Sequence, residues 1–319
     1  MAFVLARQSG EAAAVIPILG VLALGAQRLL PALQQIFRAW SSMAGSRASI
    51  EDALQLLDLP LPEEAFASPS PLKFQKDVRF ESVKFQYIHE GPLVLDGLDL
   101  TIPHGAKVGF VGSTGSGKTT ILDLFMGLLV PTSGQIMVDG LSLHGDRLRA
   151  WQRIISHVPQ SIFLTDNTFA ENIAFGESID DIDMDRVRQA ARQANIAEFI
   201  ESNPAGYNAL VGERGIRLSG GQCQRIGIAR ALYGYAEVLV FDEATSALDN
   251  ITEQAVMDSI KELDKDLTIL IIAHRLSTIS GCDMIVQLEH GKIVAQGTYK
   301  HLLEHSPSFR EMAKKSGLG

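Results

Sequence analysis

The stretch Gly112-Ser113-Thr114-Gly115-Ser116-Gly117-Lys118-Thr119 constrains the fold more than any other part of the sequence. It fits the pattern G-x-x-x-x-G-K-[ST], which carries meaning only where a strand leads in and a helix leads out. Both neighbours are there: Lys107 to Val111 reads as a short apolar strand, and Thr119 to Leu129 as the helix after the loop. The glycines permit positive φ and close backbone approach, so successive N–H groups can converge on an anion. The start of the helix adds a field that favours negative charge. Lys118 is placed to neutralise the β and γ phosphates of a nucleoside triphosphate, and the Thr119 hydroxyl to ligate Mg²⁺.

The rest of the chain is consistent with a parallel sheet around that loop. Val238 to Phe241 and Thr268 to Ile272 are continuous apolar runs, as strands covered on both faces require. The first run ends in Asp242-Glu243. An acid at that strand end can hold Mg²⁺ through water, and Glu243 can polarise the attacking water as a general base. Val78 to Tyr87 and Val94 to Ile102 alternate and predict an antiparallel element. Gln135 to Val138 and Ile154 to Val158 read as further strands, Ser161 to Ala231 as mostly helical, and Met284 to Leu288 with Lys292 to Ala295 as a hairpin around His290-Gly291. The chain from Tyr299 onwards reads as helical.

The N-terminus has a different character. Ala12 to Ala26 is an uncharged apolar run of fifteen residues, short of the roughly 20 that span a bilayer as a helix. We read it as a membrane helix or the cytosolic end of one, with Arg28, Arg38 and Arg47 on its cytoplasmic side. A signal peptide would send the phosphate loop to a compartment without ATP. Leu33, Ile36, Phe37, Trp40 and Ala44 recur at helical spacing, Ser49 is expected to cap a further short helix through Leu57, and Pro60 and Pro62 end it. Asp58 to Asp77, rich in Pro, Ser and Glu, reads as a linker. The net charge of −9 speaks against a general nucleic-acid binder. Cys223 and Cys282 match no metal-ligand spacing and suit a reducing setting.

One further motif settles the reading. Leu218-Ser219-Gly220-Gly221-Gln222 opens a predicted helix, about a hundred residues after Lys118 and about twenty before Asp242. It offers free N–H groups, a hydroxyl and a helix dipole to an anion. With these three motifs in register, the chain resembles the nucleotide-binding domain of an ABC transporter of the exporter type. The resemblance covers Val78 to about Lys315. It implies an α/β fold: a P-loop NTPase (RecA-like) core with an antiparallel β subdomain and an α-helical subdomain at about 161–231, preceded by N-terminal helices. Residues 1–57 would be the end of a transmembrane domain, 58–77 a linker and 78–319 the cassette.

The resemblance also assigns roles. Tyr87 corresponds to the adenine-stacking aromatic, Gln160 to the γ-phosphate-sensing glutamine that also reaches the Mg²⁺, and His274 to the switch histidine. ATP contacts are implied for Tyr87, Gly112, Ser113, Thr114, Gly115, Ser116, Gly117, Lys118, Thr119 and Thr120. Metal contacts are implied for Thr119, Gln160 and Asp242, and catalysis for Glu243, His274 and Gln160. Leu218, Ser219, Gly220, Gly221, Gln222 and Asp249 would complete the site of a second chain. Asp249 stands in the dimer-contact loop Ser246-Ala247-Leu248-Asp249, and Val211 to Gly215 resembles the segment that meets the membrane domain. Cys223 occupies a position where the family usually has a basic or polar residue.

By the same resemblance the chain is expected to be an ATPase using ATP and Mg²⁺, working as a head-to-tail pair of cassettes, either a homodimer or with a related half-transporter. Partners would be a transmembrane domain and the cytoplasmic (inner) membrane, with no nucleic acid. The alternatives are a soluble non-transport ATPase of the same superfamily and a truncated nucleotide-binding interaction module. Both Glu243 and His274 are present, which argues for hydrolysis. About five upstream membrane helices of a full exporter are missing, so a fragment, a late-start gene model or a split transporter is expected. Arg28 to Gln35 is similar to bacterial flippases of lipid-linked sugars or glycolipids.

Overall fold

The computed structural model describes residues 12–58, 72–212, 215–216, 218–234, 236–242, 253, 266–273 and 275–315. The chain divides into two compact units, Met1–Ala65 and Phe66–Gly319.

The described part of the first unit is one helix, α1 (Ala12–Leu57), of 46 residues. At 1.5 Å per residue it is about 70 Å long. It runs through Pro17 and Pro31, each of which removes one backbone donor from the ladder. The short capped helix expected at Ser49 is not separate. The Arg47 Nε–Glu51 Oε1 ion pair of 2.7 Å, one helical turn apart, straddles the expected boundary, and Ser49 sits inside the helix. The stripe Leu33, Ile36, Phe37 and Trp40 is exposed. Among the described residues no helix is long and apolar enough to cross a membrane.

The second unit contains two sheets among the described residues. The smaller orders β2-β1-β4-β5 from β1 (Asp77–Phe85), β2 (Leu95–Pro103), β4 (Ser133–Val138) and β5 (Leu141–Ser142), all antiparallel. Val78 pairs with Ile102 on one side and with Val138 on the other. Along β1 and β2 buried and exposed residues largely alternate, as a sheet with one face on the core demands.

The larger sheet orders β10-β9-β3-β8-β7-β6. It is built from β3 (Lys107–Gly112), β6 (Ile155–Val158), β7 (Val238–Asp242), β8 (Thr268–Ile272), β9 (Met284–Glu289) and β10 (Lys292–Gly297). All are parallel except the β9–β10 hairpin. The central strands bury both faces, and the period of two sorts their side chains into two cores. Val108, Phe110, Val238, Val240, Leu270 and Ile272 join a core with the antiparallel sheet and helix α2 (Lys118–Phe125). Val111, Leu239, Phe241, Ile269 and Ile271 join the other, with α4 (Phe169–Ile173), α5 (Met184–Gln193), α6 (Ala197–Glu201) and α7 (Gly220–Tyr233). The described helices between Ser161 and Ala231 thus pack on one face of the sheet. C-terminal to β8 come α8 (Leu276–Ile279), inserted before β9, then α9 (Tyr299–His305) and α10 (Pro307–Lys315).

Two features depart from the sequence reading. The segment expected as linker up to Asp77 is already part of the cassette core at Phe74, which is buried and meets the Trp151 ring edge-on at 5.3 Å. The Asp139 carboxylate fixes the approach to β1 by accepting from the backbone N–H groups of Gln75, Lys76 and Asp77. Helix α3 (Asp146–Arg153) has no counterpart in the sequence reading. Its one fully buried side chain is Trp151, whose indole Nε1 donates to Phe125 O at 2.7 Å and closes the end of α2.

Candidate functional site

The carboxyl ends of the parallel strands β3, β6 and β7 bring the phosphate loop, Gln160 and Asp242 to one edge. Phe110 and Asp242 both pair with Ile272, so the last residue of β7 stands level with the mouth of the phosphate loop, two strands away. With about 4.8 Å between strands, that is about 10 Å across the sheet. Val158 at the end of β6 pairs with Phe241, and Gln160 comes two residues on. Ligands in open parallel sheets bind at this edge.

The loop between β3 and α2 is held by its surroundings. Gly112 has φ +153, and a Cβ there would lie 2.2 Å from Leu288 O, so no side chain is possible without moving β9. Gly291, in the β9–β10 turn, donates its N–H to Ser116 O at 3.2 Å. Lys118 is buried, and its ammonium donates to Gly112 O and Ser113 O, both at 2.9 Å. Ser116 Oγ is buried and has no hydrogen-bond partner among the described residues. A buried hydroxyl without a partner costs about 1–3 kcal/mol, so the loop is short of an acceptor or donor that a ligand can supply. Thr119 is exposed, and Thr120 is buried, with its hydroxyl 3.1 Å from that of Tyr87. Tyr87 is 61% exposed and braced edge-on by Phe85. It is an open aromatic face beside the loop.

A metal at this edge would meet hard oxygen donors, the Thr119 hydroxyl and the Asp242 carboxylate, with the Gln160 amide oxygen just past the end of β6. That set fits Mg²⁺. Close by lies a pair that the sequence reading missed. Asp123 has its pKa raised, first by burial and then by the charge of Asp242, with His157 opposing. His157 is pushed down by burial, with Asp123 opposing. A signal for Asp123 exists in the sequence: it lies four residues after Thr119 in α2, hence on the same helix face.

Ser219 caps α7, and here the helix start closes on itself. Ser219 Oγ accepts from Gln222 N at 3.2 Å, and Gln222 Oε1 accepts from Ser219 N at 2.8 Å. Ser219 and Gly220 are exposed, while Leu218 and Gly221 are partly covered. The side chains of this turn are satisfied within the turn, and the backbone N–H groups of Gly220 and Gly221 stand at a helix start. The Cys223 thiol next to them is pushed up by burial, which keeps it protonated and inert.

The sequence from residue 95 to 246 matches the family model described as ABC transporter. The chain is 39% identical over 299 residues to the heterocyst differentiation ATP-binding protein HepA of Nostoc sp., covering 91% of this chain and 48% of that protein. It is 44% identical over 229 residues to an ATP-dependent lipid A-core flippase of Ralstonia nicotianae, covering 72% of this chain and 39% of that one. A solved bacterial Atm1-family ABC exporter with ATP bound superposes with a TM-score of 0.76 at 32% identity, over 91% of this chain and 51% of that one. The chain carries an exporter-type ABC transporter nucleotide-binding domain. It spans about half or less of the length of the relatives it matches.

In this ABC cassette the phosphate loop, Asp242, Gln160 and Tyr87 are all among the described residues, at the edge where nucleotide is expected. Glu243, His274 and Asp249, with the rest of Ser246 to Asp249, lie outside the described residues, as do Glu213 and Arg214. Glu243 and His274 each follow a described residue. Glu243 comes directly after Asp242 at the end of β7, and His274 directly after Ala273, just past β8. Arg275 donates to Glu253 Oε2 at 2.6 Å, and Thr278 Oγ1 donates to Glu253 Oε1 at 2.6 Å. This buried carboxylate ties the residue after His274 to the stretch beyond Asp249, an ion pair that nothing in the sequence pattern signals.

Proposed function

We propose that the chain binds Mg·ATP between two cassettes arranged head to tail and hydrolyses it to drive a membrane domain that flips a glycolipid or lipid-linked sugar. The observation that carries this reading is a division of labour. The phosphate loop has an unsatisfied buried hydroxyl and a lysine folded onto its own carbonyls, whereas Ser219 and Gly220 sit exposed on a separate helix start. A site in one chain and an exposed anion-ready turn complement each other across a dimer.

In this reading the backbone N–H groups of Gly115 to Thr119 cradle the phosphates, and Lys118 leaves Gly112 O and Ser113 O for the β and γ phosphates. Tyr87 stacks on the adenine, and Thr120 holds its hydroxyl. Thr119 and Asp242, with Gln160, hold Mg²⁺, which supplies charge neutralisation when bound. Glu243 takes the proton of the attacking water, and His274 contacts the γ phosphate. Ser219, Gly221 and Asp249 of the second chain close the site. The setting is the cytoplasmic face of the inner membrane. The glycolipid assignment rests on the flippase relatives and on Arg28 to Gln35.

The test is Mg-dependent ATP hydrolysis by the full chain beside Glu243→Gln. The variant is expected to bind ATP with unchanged affinity, lose turnover by at least about a hundredfold and accumulate as an ATP-held dimer. Turnover within a few fold of the unsubstituted chain would remove Glu243 as base. For the substrate, the complete transporter in vesicles should show ATP-dependent movement of a labelled glycolipid and none of a labelled peptide.

A further inference from the structure

The segment after Gln160 is fastened to the helix that Ser219 caps. Arg230, three turns along α7, sends its guanidinium out of its own helix. Nε donates to Asn172 O at 2.9 Å, Nη1 to Phe163 O at 3.1 Å and Nη2 to Asn172 Oδ1 at 3.4 Å. The cation lies over the Phe175 ring at 4.6 Å. A planar fork meeting oxygens of Phe163 and Asn172 fixes the separation of two points well apart in the chain, and lysine has no equivalent.

Asn172 is fully buried and commits its amide to the same stretch. Its Oδ1 accepts from Thr165 N at 3.0 Å and Thr165 Oγ1 at 3.3 Å, while Nδ2 donates to Thr165 O at 3.1 Å and Thr168 O at 3.0 Å. A second contact is independent of any charge. Ile162 sits against Gly227, where a Cβ would come 2.4 Å from Ile162 Cδ1 and 2.8 Å from Cγ1. Gly227 and Arg230 are three residues apart and share a helix face. Residues 162 and 163 are thus seated on α7 at two adjacent points.

We propose that Arg230, with Asn172 and the Gly227 notch, is a positioning device that makes the segment after Gln160 and the Ser219 helix start move as one body. Gln160 lies three residues before Phe163, and Ser219 lies eleven residues before Arg230 on a continuous helix, about 16 Å away. A displacement at the nucleotide sensor is therefore delivered to the surface that completes the partner's site. This rests on the proposed sharing of each nucleotide by two cassettes.

The experiment uses the full chain and three variants, Arg230→Lys, Arg230→Gln and Gly227→Ala. Melting temperature, affinity for a fluorescent ATP analogue, and kcat and KM for ATP are measured for each. Arg230→Lys and Gly227→Ala should melt within a few degrees of the unsubstituted chain and bind the analogue within about twofold, because the phosphate loop is untouched. Their kcat should fall by about tenfold while KM changes little, the scale of a lost coupling between sites. Arg230→Gln should fall further than Arg230→Lys. Unchanged kcat in Arg230→Lys and Gly227→Ala overturns the proposal. So does a loss of kcat that only tracks a loss of melting temperature and of analogue binding, which marks a purely structural role. No hydrolysis by the unsubstituted chain, with analogue binding intact, would instead sink the shared-site reading on which the proposal rests.

Discussion

Two glycine-rich helix starts in this cassette, both proposed to meet anions, are built in opposite ways. At Gly112 to Thr119 the loop is clamped from outside by Leu288, Gly291 and the start of β2, yet inside it leaves Ser116 Oγ without a partner among the described residues. At Ser219 to Gln222 the side chains and backbone cap each other reciprocally. The first is a shaped receptor whose own hydrogen bonds are incomplete until ligand arrives. The second is a finished turn that stands in solvent, and in the proposed dimer it would meet a partner's ligand. A glycine-rich turn is therefore not one thing: whether its polar groups are satisfied at home separates the two halves of the proposed composite site.

The sharpest way to break the contrast is to remove the lysine. Lys118→Ala takes away the cation that the loop folds onto its own carbonyls. ATP affinity measured on the isolated chain should drop by at least about a hundredfold, since charge-assisted contacts to phosphate are the strong ones. Affinity within about threefold of the unsubstituted chain would show that the loop is not the primary receptor. Ser219→Ala should behave differently. Binding to the isolated chain should be unchanged, while the ATP-induced dimer, measured by size or light scattering, should weaken by about tenfold. If Ser219→Ala lowers ATP affinity of the monomer as much as Lys118→Ala, the two-half-site picture fails.

A smaller effect is expected where the loop is clamped. Gly291→Ala would place a methyl 2.2 Å from Val94 O, at φ +75, and so push the β9–β10 turn away from Ser116. The melting temperature should fall by several degrees, with ATP affinity reduced about threefold to tenfold. A variant that melts normally and binds normally would mean the clamp is dispensable.

The sequence carries these two regions unequally well. The phosphate loop, the strands β3, β7 and β8 and the acid at Asp242 are legible because each is a local pattern: a spacing of glycines, or a run of apolar residues ending in a charge. The antiparallel strands are legible for the same reason. What is not legible is long-range. Asn172 looks like any polar residue on a short helix, and only the fold brings it to Arg230, 58 residues later. Trp151 on α3 and Phe74 before β1 meet only in the folded core, so neither the helix nor the true end of the linker shows in the local pattern. At Ser49 the local pattern misleads, because a Ser with acids close behind mimics a helix cap. A real cap needs a non-helical residue, and Ser49 lies within unbroken helix.

The finest test concerns Asp123, behind the receptor half. Its pKa is raised above the ordinary aspartate value, chiefly by burial and then by Asp242. An acid whose folded pKa is raised adds stability only while protonated, so that contribution is lost as pH rises through the raised value. Above that raised value the charged form of Asp123 is a standing cost. Asp123→Asn removes that cost, and the apo chain should melt about a degree or two higher at pH 7, a modest figure because the group is partly solvated. The advantage should shrink as pH falls towards the ordinary aspartate range, where the unsubstituted carboxyl is protonated too. It should also shrink when Mg·ADP is added, because a cation at Asp242 screens the repulsion that Asp123 feels. The helical side of the cassette supplies the control: Asp185, exposed on α5 and paired with Arg188, should show no rise in melting temperature at pH 7 as Asp185→Asn. A variant of Asp123 that is neutral or destabilising at pH 7 would mean that the carboxylate is held by favourable contacts, and that the receptor half is less strained than its unpartnered Ser116 implies.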